Sequence, residues 1–290
     1  MRANLYALAA IALWASLAAL GLSLRQVPPF LLTGIALMIG STLAWPSVWK
    51  DPGQWKIPPG TLGLGVFTLF GFHFLLFIAL RLAPAVEVNL VNYLWPLFIV
   101  VLAPLYLPGV ALRRVHGLAA LMGFVGAALA ILGGREAAAT SATGTPWGPA
   151  GLGYLLALGS ALIWANYSLQ TKRAELTGNG FPTAAIGLFG LVSGLLSLMC
   201  HWVLEPSVHL GWHEWLLLAL MGLGPLGAAF FLWDKALKQG DMRHIGILSY
   251  LTPLGSTVLL MLLTSRALSW SIALAACMII GAALLGTRRN

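Results

Sequence analysis

Charge is what this sequence has least of. Only eight of its 290 residues are Asp or Glu and 16 are Lys or Arg. All eight carboxylates (Asp51, Glu87, Glu136, Glu175, Glu205, Glu214, Asp234 and Asp241) fall in loops or within about a turn of an expected helix end. No apolar stretch has an acid at its centre, which disfavours the exchange of a proton for a cationic drug at a buried carboxylate; Glu87 is the one attractive substitute. The Lys and Arg side chains also sit at the ends of apolar stretches, so no buried cation is available to match a phosphate. That argues against phosphorylated sugars and nucleotide sugars as ligands. Two cysteines, Cys200 and Cys277, have no CxxC partner and no His at metal spacing, so free thiols and no metal are expected. No P-loop, HExxH or nucleophile elbow is present, which leaves neither an ATP-driven mechanism nor a catalytic set, and no cofactor is called for.

What is abundant is apolar surface. With 59% apolar residues and a mean hydropathy of +0.89, the chain has too few polar side chains to cover a soluble globule of its length, so its solvent is the lipid bilayer. A helix crosses the hydrocarbon with about 20 apolar residues. Ten such stretches are read: Asn4 to Leu24, Phe30 to Val48, Thr61 to Leu82, Val86 to Tyr106, Arg114 to Leu132, Gly151 to Gln170, Pro182 to Leu204, Trp212 to Lys235, His244 to Thr264 and Ser269 to Thr287. With the N-terminus in the cytoplasm, twelve Lys and Arg fall in inner loops and four (Arg25, Arg81, Arg135 and Arg266) outside. The positive-inside rule then puts both termini in the cytoplasm. The net charge of +8 therefore reports topology and not a nucleic-acid partner.

Tyr-Leu-x-Pro-Leu occurs twice, at 93–97 and 250–254, an offset of 157 residues. The same offset superposes Ala79-Leu80-Arg81 on Ala236-Leu237-Lys238, and Trp14-Ala15 matches Trp164-Ala165 at an offset of 150. An internal duplication is the economical reading. Helix 1 thus has a counterpart and is expected to be retained, not cleaved as a secretory signal. Five helices per unit make the second unit enter from the opposite face, which is the inverted repeat of a carrier with a site between its halves. The units expected are 1–133 and 150–290, joined by a periplasmic linker at 134–149. Gly187, Gly190 and Gly194 form a small-residue face expected to pack within the monomer.

The duplicated unit, its Trp-Ala in the first helix and its Tyr-Leu-x-Pro-Leu in the fourth, resembles the EamA-type repeat of the drug/metabolite transporter superfamily over nearly the whole chain. Within it, the run Val88-Asn89-Leu90-Val91-Asn92-Tyr93-Leu94-Trp95-Pro96 is similar to that of exporters of aromatic amino acids. The resemblance implies an inner-membrane carrier that moves amino acids out of a bacterial cell, its partners being that small-molecule substrate and the lipid bilayer.

Residue chemistry must supply the site. Asn89, Asn92, Tyr93 and Pro96 share one face of helix 4, and Gly246, Ser249, Tyr250 and Pro253 share the matching face of helix 9. Polar groups left bare in hydrocarbon cost several kcal/mol, so both faces are expected to line a central pathway. Pro96 and Pro253 free the carbonyls of Asn92 and Ser249, which then serve as ammonium acceptors or hinges, or accept from a neighbouring side chain in a plain kink. Trp14 and Trp164 lie mid-span, away from the interfacial belts where Trp is commoner; core packing competes with an aromatic wall for a substrate ring. Trp233 ranks below that pair. His73, among phenylalanines, is either a neutral packing residue or a site residue.

The expectation is an all-α integral membrane protein of ten helices in two inverted five-helix repeats, exporting neutral or zwitterionic amino acids by alternating access and facilitated diffusion. Its substrate-binding residues are Trp14, His73, Asn89, Asn92, Tyr93, Trp164, Ser249 and Tyr250, with Pro96 and Pro253 as hinges. The alternative is a carrier of another small metabolite or drug, proton-coupled through Glu87 or His73. An intramembrane enzyme and a passive channel are the remaining classes, the first lacking a carboxylate partner for His73 and the second disfavoured by the inverted repeat.

Overall fold

The structure, a computed structural model, describes residues 2–133, 149–264 and 270–286. Every regular element among them is helical. The helices are α1 (Arg2–Ala15), α2 (Leu17–Ser23), α3 (Pro29–Ser41), α4 (Trp45–Lys50), α5 (Pro59–Leu82), α6 (Ala85–Asn92), α7 (Trp95–Tyr106), α8 (Arg114–Gly133), α9 (Pro149–Leu176), α10 (Ala185–Leu204), α11 (Trp212–Leu223), α12 (Ala229–Gln239), α13 (Met242–Leu248), α14 (Leu251–Thr264) and α15 (Trp270–Gly286). Seven helical segments are long and apolar enough to cross a membrane: 2–23, 29–50, 59–82, 87–106, 150–176, 185–204 and 212–239. Two shorter apolar helices lie at 114–129 and 270–285. The linker expected at 134–149 lies outside the described residues up to its last position, Pro149, which opens α9.

Several expected spans are interrupted, and the sequence supplies the reasons. Tyr93-Leu94 forms a turn between α6 and α7, and Ser249-Tyr250 forms one between α13 and α14, each just ahead of a proline that cannot donate to the preceding turn. Gly224-Pro225 opens a five-residue π turn, Gly224–Ala228, between α11 and α12, the wide turn a proline leaves where the helix hydrogen bonds are interrupted. Ser16, whose hydroxyl donates to the Leu13 carbonyl at 2.6 Å, marks the joint of α1 and α2. The helix expected to stop at Lys235 continues to Gln239.

The helices pair across the chain: α8 against α15, α5 against α9, α3 against α10, α1 against α12, and α7 against α13. Glycine sets the closest approach. A Cβ on Gly194 would lie 2.9 Å from the Gly34 carbonyl oxygen, and one on Gly190 3.3 Å from that of Leu37. The small-residue face of α10 therefore packs on α3 of the same chain. A Cβ on Gly240 would meet Ala3 at 3.1 Å, which puts the end of α12 beside the start of α1. Trp202, Trp212 and Trp270 are among the most exposed large side chains, at 79–87%.

Candidate functional site

Trp14 on α1, Trp95 on α7, Trp164 on α9 and Trp233 on α12 form one aromatic cluster at the middle of the fold. All six centroid separations lie between 5.1 Å for Trp14–Trp233 and 6.5 Å for Trp14–Trp95. Each indole is at most 8% exposed. Edge-to-face geometry prevails, as the ring quadrupole favours, and only Trp164–Trp233 stacks. Phe230 and Phe72 extend the wall, with Phe72 5.6 Å and Tyr167 6.0 Å from Trp164.

Two of the indole N–H groups have defined acceptors, one of them at a break in a helix. Trp14 Nε1 donates to the Pro225 carbonyl, 3.1 Å away in the π turn, an acceptor that an unbroken helix would have kept for itself. Trp233 Nε1 donates to Ser168 Oγ at 3.3 Å, and Ser168 in turn donates to the Trp164 carbonyl at 2.9 Å. Trp95 is the first residue of α7, so the turn at Tyr93-Leu94 aims it. Trp14 and Trp164 do converge; Trp95, the variable position of the repeated motif, and Trp233, ranked low, complete the set. The argument that singled out mid-span tryptophans applies equally to both.

The other expected site residues divide. His73 is buried beside the cluster, 5.1 Å from Phe72 and 5.9 Å from Phe77, and its Nδ1–H donates to the Leu69 carbonyl at 2.6 Å. Asn92 is buried and donates to Ser160 Oγ on α9 at 2.6 Å, so its amide fastens α6 to α9. Tyr93 is half-buried in the turn, and Asn89 is exposed on α6.

The face expected on helix 9 does not open onto the cluster. Ser249 Oγ donates back to the Ile245 carbonyl at 2.7 Å. Its own carbonyl, expected free ahead of Pro253, accepts from Thr252 N at 3.0 Å, because the turn tightens to an i to i+3 bond there. Tyr250 is wholly buried against Ala127 and Ile279 and covers Gly123. Gly246 brings α13 onto α7 so closely that a Cβ would lie 3.1 Å from the Pro96 carbonyl oxygen. Helices 4 and 9 thus pack directly where a gap between two polar faces was expected.

Two of the carboxylates expected near helix ends are buried, at two ends of the bundle. Asp234 lies within α12 and is 0% exposed; its Oδ2 accepts from Thr183 Oγ1 at 2.6 Å and Lys238 Nζ at 2.8 Å. Glu205, the first residue beyond α10, has a side chain 0% exposed. It accepts from Phe30 N at 3.0 Å, Leu31 N at 3.2 Å, Arg81 Nη2 at 3.0 Å and His201 Nδ1 at 3.0 Å. Proximity to a helix end located these acids along the chain and said nothing of their burial. Among the described residues, no three of His, Cys, Asp and Glu cluster as a metal site.

A bundle of membrane-crossing helices, gathered around an aromatic centre to which both halves of the chain contribute, defines a polytopic membrane protein of the carrier kind. The chain belongs to the EamA-like transporter family, whose profile matches residues 1–132 and 151–287. It is similar to the aromatic amino acid exporter YddG of Ancylobacter novellus, with 40% identity across 98% of this chain and 96% of that one. It is also similar to the aromatic amino acid exporter YddG of Escherichia coli, 29% identical across 100% of this chain and 99% of the other. A protein of known crystal structure, 37% identical, superposes with a TM-score of 0.88 over 98% of this chain and 97% of its own.

Proposed function

We infer that this chain exports amino acids, aromatic ones foremost and other neutral or zwitterionic ones with them, across the bacterial inner membrane. It works by alternating access between two inverted five-helix repeats, 1–133 and 150–290, with both termini cytoplasmic and the linker periplasmic. The single observation that carries this reading is the four-tryptophan cluster, to which each half gives two indoles. Trp14 and Trp95 come from the first half, Trp164 and Trp233 from the second, so a rocking of the halves takes the cluster apart and admits a substrate ring in place of an indole. Ring contacts of this kind are worth about 0.5–1.5 kcal/mol each, enough to hold an aromatic side chain and weak enough to release it.

Two features support the repeat. Counting α13 and α14 as one span beside the nine other apolar segments brings the total to ten. Exchanging the halves also maps the pairing of α1 with α12 onto that of α9 with α5, and returns α3 with α10, α7 with α13 and α8 with α15 to themselves. The relatives, named for export of aromatic amino acids, support the substrate and the direction. Trp14, Trp164 and His73 are the proposed substrate contacts from the sequence reading, joined by Trp95 and Trp233. Asn92 and Tyr93 position the broken helix 4, with Pro96 and Pro253 as its hinge and that of helix 9. No chemical conversion is involved, and transport is downhill.

The test is flux of radiolabelled phenylalanine from proteoliposomes containing the purified protein, with and without a pH gradient. Saturable flux indifferent to the gradient is expected, and Trp164→Ala should lower it at equal amounts of folded protein. Absence of flux for every amino acid, from folded protein, would refute the substrate; flux that follows the gradient would refute the downhill mechanism.

A further inference from the structure

Asp234 and Lys238 take no part in the aromatic cluster, yet they are built as a site. The Asp234 carboxylate is wholly buried, and while Oδ2 has two donors, Oδ1 has no hydrogen-bond partner. A bare buried carboxylate oxygen is unusual in a protein interior, where such acceptors are nearly always filled. Lys238 Nζ, 2.8 Å from Oδ2, also donates to the Phe181 carbonyl at 2.6 Å and lies 4.3 Å from the centroid of the Phe181 ring. Its backbone carbonyl accepts from Lys172 Nζ at 2.9 Å. The pair therefore fastens the end of α12 to the segment that leads into α10 and to α9. Trp233, the residue before Asp234, belongs to the aromatic cluster, so this site adjoins the proposed pathway along one turn of α12.

The charged group at the other end of the bundle differs in one respect. Both oxygens of Glu205 are filled, Oε1 by Phe30 N and Arg81, and Oε2 by Phe30 N, Leu31 N and His201. Of these two carboxylates, that of Asp234 is the one with an acceptor to offer.

We propose that Asp234 and Lys238 form a second subsite for the transported amino acid, in which its ammonium binds Asp234 Oδ1 and its carboxylate takes Lys238 Nζ from Asp234 Oδ2. This rests on the amino acid reading above. The chemistry selects a zwitterion. A ligand bearing one charge of each sign leaves the buried site with no net change of charge, whereas an amine alone adds an uncompensated positive charge beside the Lys238–Asp234 pair and a carboxylic acid alone, in taking Lys238, leaves Asp234 without its cation, both costly in a buried setting. Insertion parts α12 from the Thr183–Phe181 segment, so the substrate itself releases the fastening at this end.

The experiment measures labelled phenylalanine flux by the full-length protein in proteoliposomes, with phenethylamine (ammonium only) and 3-phenylpropionate (carboxylate only) as inhibitors. Asp234→Asn should raise KM for phenylalanine about tenfold or more and weaken inhibition by phenethylamine to the same degree, leaving that by 3-phenylpropionate unchanged. Lys238→Met should give the mirror image, and Lys238→Arg should restore carboxylate recognition. Should the Asp234 variant fail to fold, the two Lys238 variants decide alone. Variants that lower the maximal rate while KM and both inhibition profiles stay as in the parent would overturn the subsite and leave the amino acid reading standing. A folded parent that carries no amino acid would overturn both.

Discussion

Replacing Glu205 by Gln removes a charge from a carboxylate that serves three helices at once. It accepts from the second and third residues of α3, from Arg81 at the end of α5 and from His201 on its own α10, with its side chain 0% exposed. The helix it caps has Pro28 at the N-cap, a residue with no side-chain acceptor, so the carboxylate supplies from outside what Ser or Asp supplies locally elsewhere. Gln keeps a single acceptor and turns an N–H₂ toward either the α3 amides or the guanidinium, donor against donor. Hydrogen bonds to a charged group contribute about 1.5–3 kcal/mol each, and the helix dipole adds about 0.3–1 kcal/mol. A loss of about 3–5 kcal/mol follows, the range for breaking a buried pair from its buried side. Arg81→Met should cost only about 1 kcal/mol, because Arg81 is 42% exposed and leaves the carboxylate with its amides and His201. Thermal unfolding in detergent, followed by tryptophan fluorescence, measures both. Equal losses, or a larger one for Arg81→Met, would refute the assignment of Glu205 as the cap.

Trp14→Phe keeps an aromatic ring but leaves the buried Pro225 carbonyl without its donor, so a stability loss of about 2 kcal/mol is expected in the same unfolding assay, with reduced flux. Gly194→Ala should destabilise by about 1–3 kcal/mol, since its methyl would press on the Gly34 carbonyl at 2.9 Å and Met38 Cγ at 2.8 Å. Gly21→Ala, with nothing within 4 Å, should stabilise by up to about 1 kcal/mol as a better helix former. The Asp241 carboxyl, raised by burial but lowered further by the hydrogen bonds and charge of Arg243, sits at about 2 against an ordinary 3.8. Its capping of α13 through Arg243 N at 2.8 Å is therefore present above that ordinary value and lost as pH falls through about 2. Unfolding of the parent should show an acid limb between those limits that Asp241→Asn lacks, and an unchanged limb would exclude Asp241 as its source.

Composition and spacing made much of this fold legible. Apolar runs located the helices because a bilayer admits few other backbones, and the doubled Tyr-Leu-x-Pro-Leu located the breaks at Tyr93-Leu94 and Ser249-Tyr250 through its prolines, though not those at Ser16 and Gly224. Helix rotation was less legible. Tyr250 was read onto the face of Ser249 from a regular 3.6-residue period, but the turn at Ser249-Tyr250 breaks that period, and the ring packs toward α8 and α15. Trp95 is aimed at the centre by the matching turn at Tyr93-Leu94. Burial of charge was the other failure. Asp234 was read as a loop-end acid because the helix was closed at Lys235, and nothing in the run of residues says that Thr183, 51 positions earlier, completes its hydrogen bonds. The aromatic pair Trp14 and Trp164 was read on chemistry alone, and the geometry joins them.

Both charged fastenings, Arg81 with Glu205 and Lys238 with Asp234, are made in the same structure, whereas alternating access requires them to break in turn. Their difference in energy then sets which end opens at rest. The Glu205 oxygens are filled and Asp234 Oδ1 is not. An unfilled buried acceptor costs about 1–3 kcal/mol, and each 1.4 kcal/mol is about a tenfold ratio. The Lys238 end should therefore open about ten times as often as the Arg81 end. That end adjoins the start of α1, the cytoplasmic side on the topology proposed here, which is where an exporter loads. With Cys200 and Cys277 replaced by Ser, single cysteines at the buried positions Ala184 and Val27 report the two openings through their rates of reaction with a polar maleimide. Ala184→Cys should react faster than Val27→Cys. Adding Glu205→Gln, which weakens the opposite fastening by more than the gap between the two, should reverse the order. A ratio that ignores Glu205→Gln would mean that the two ends do not compete, and the rocking of one half against the other would have to be abandoned.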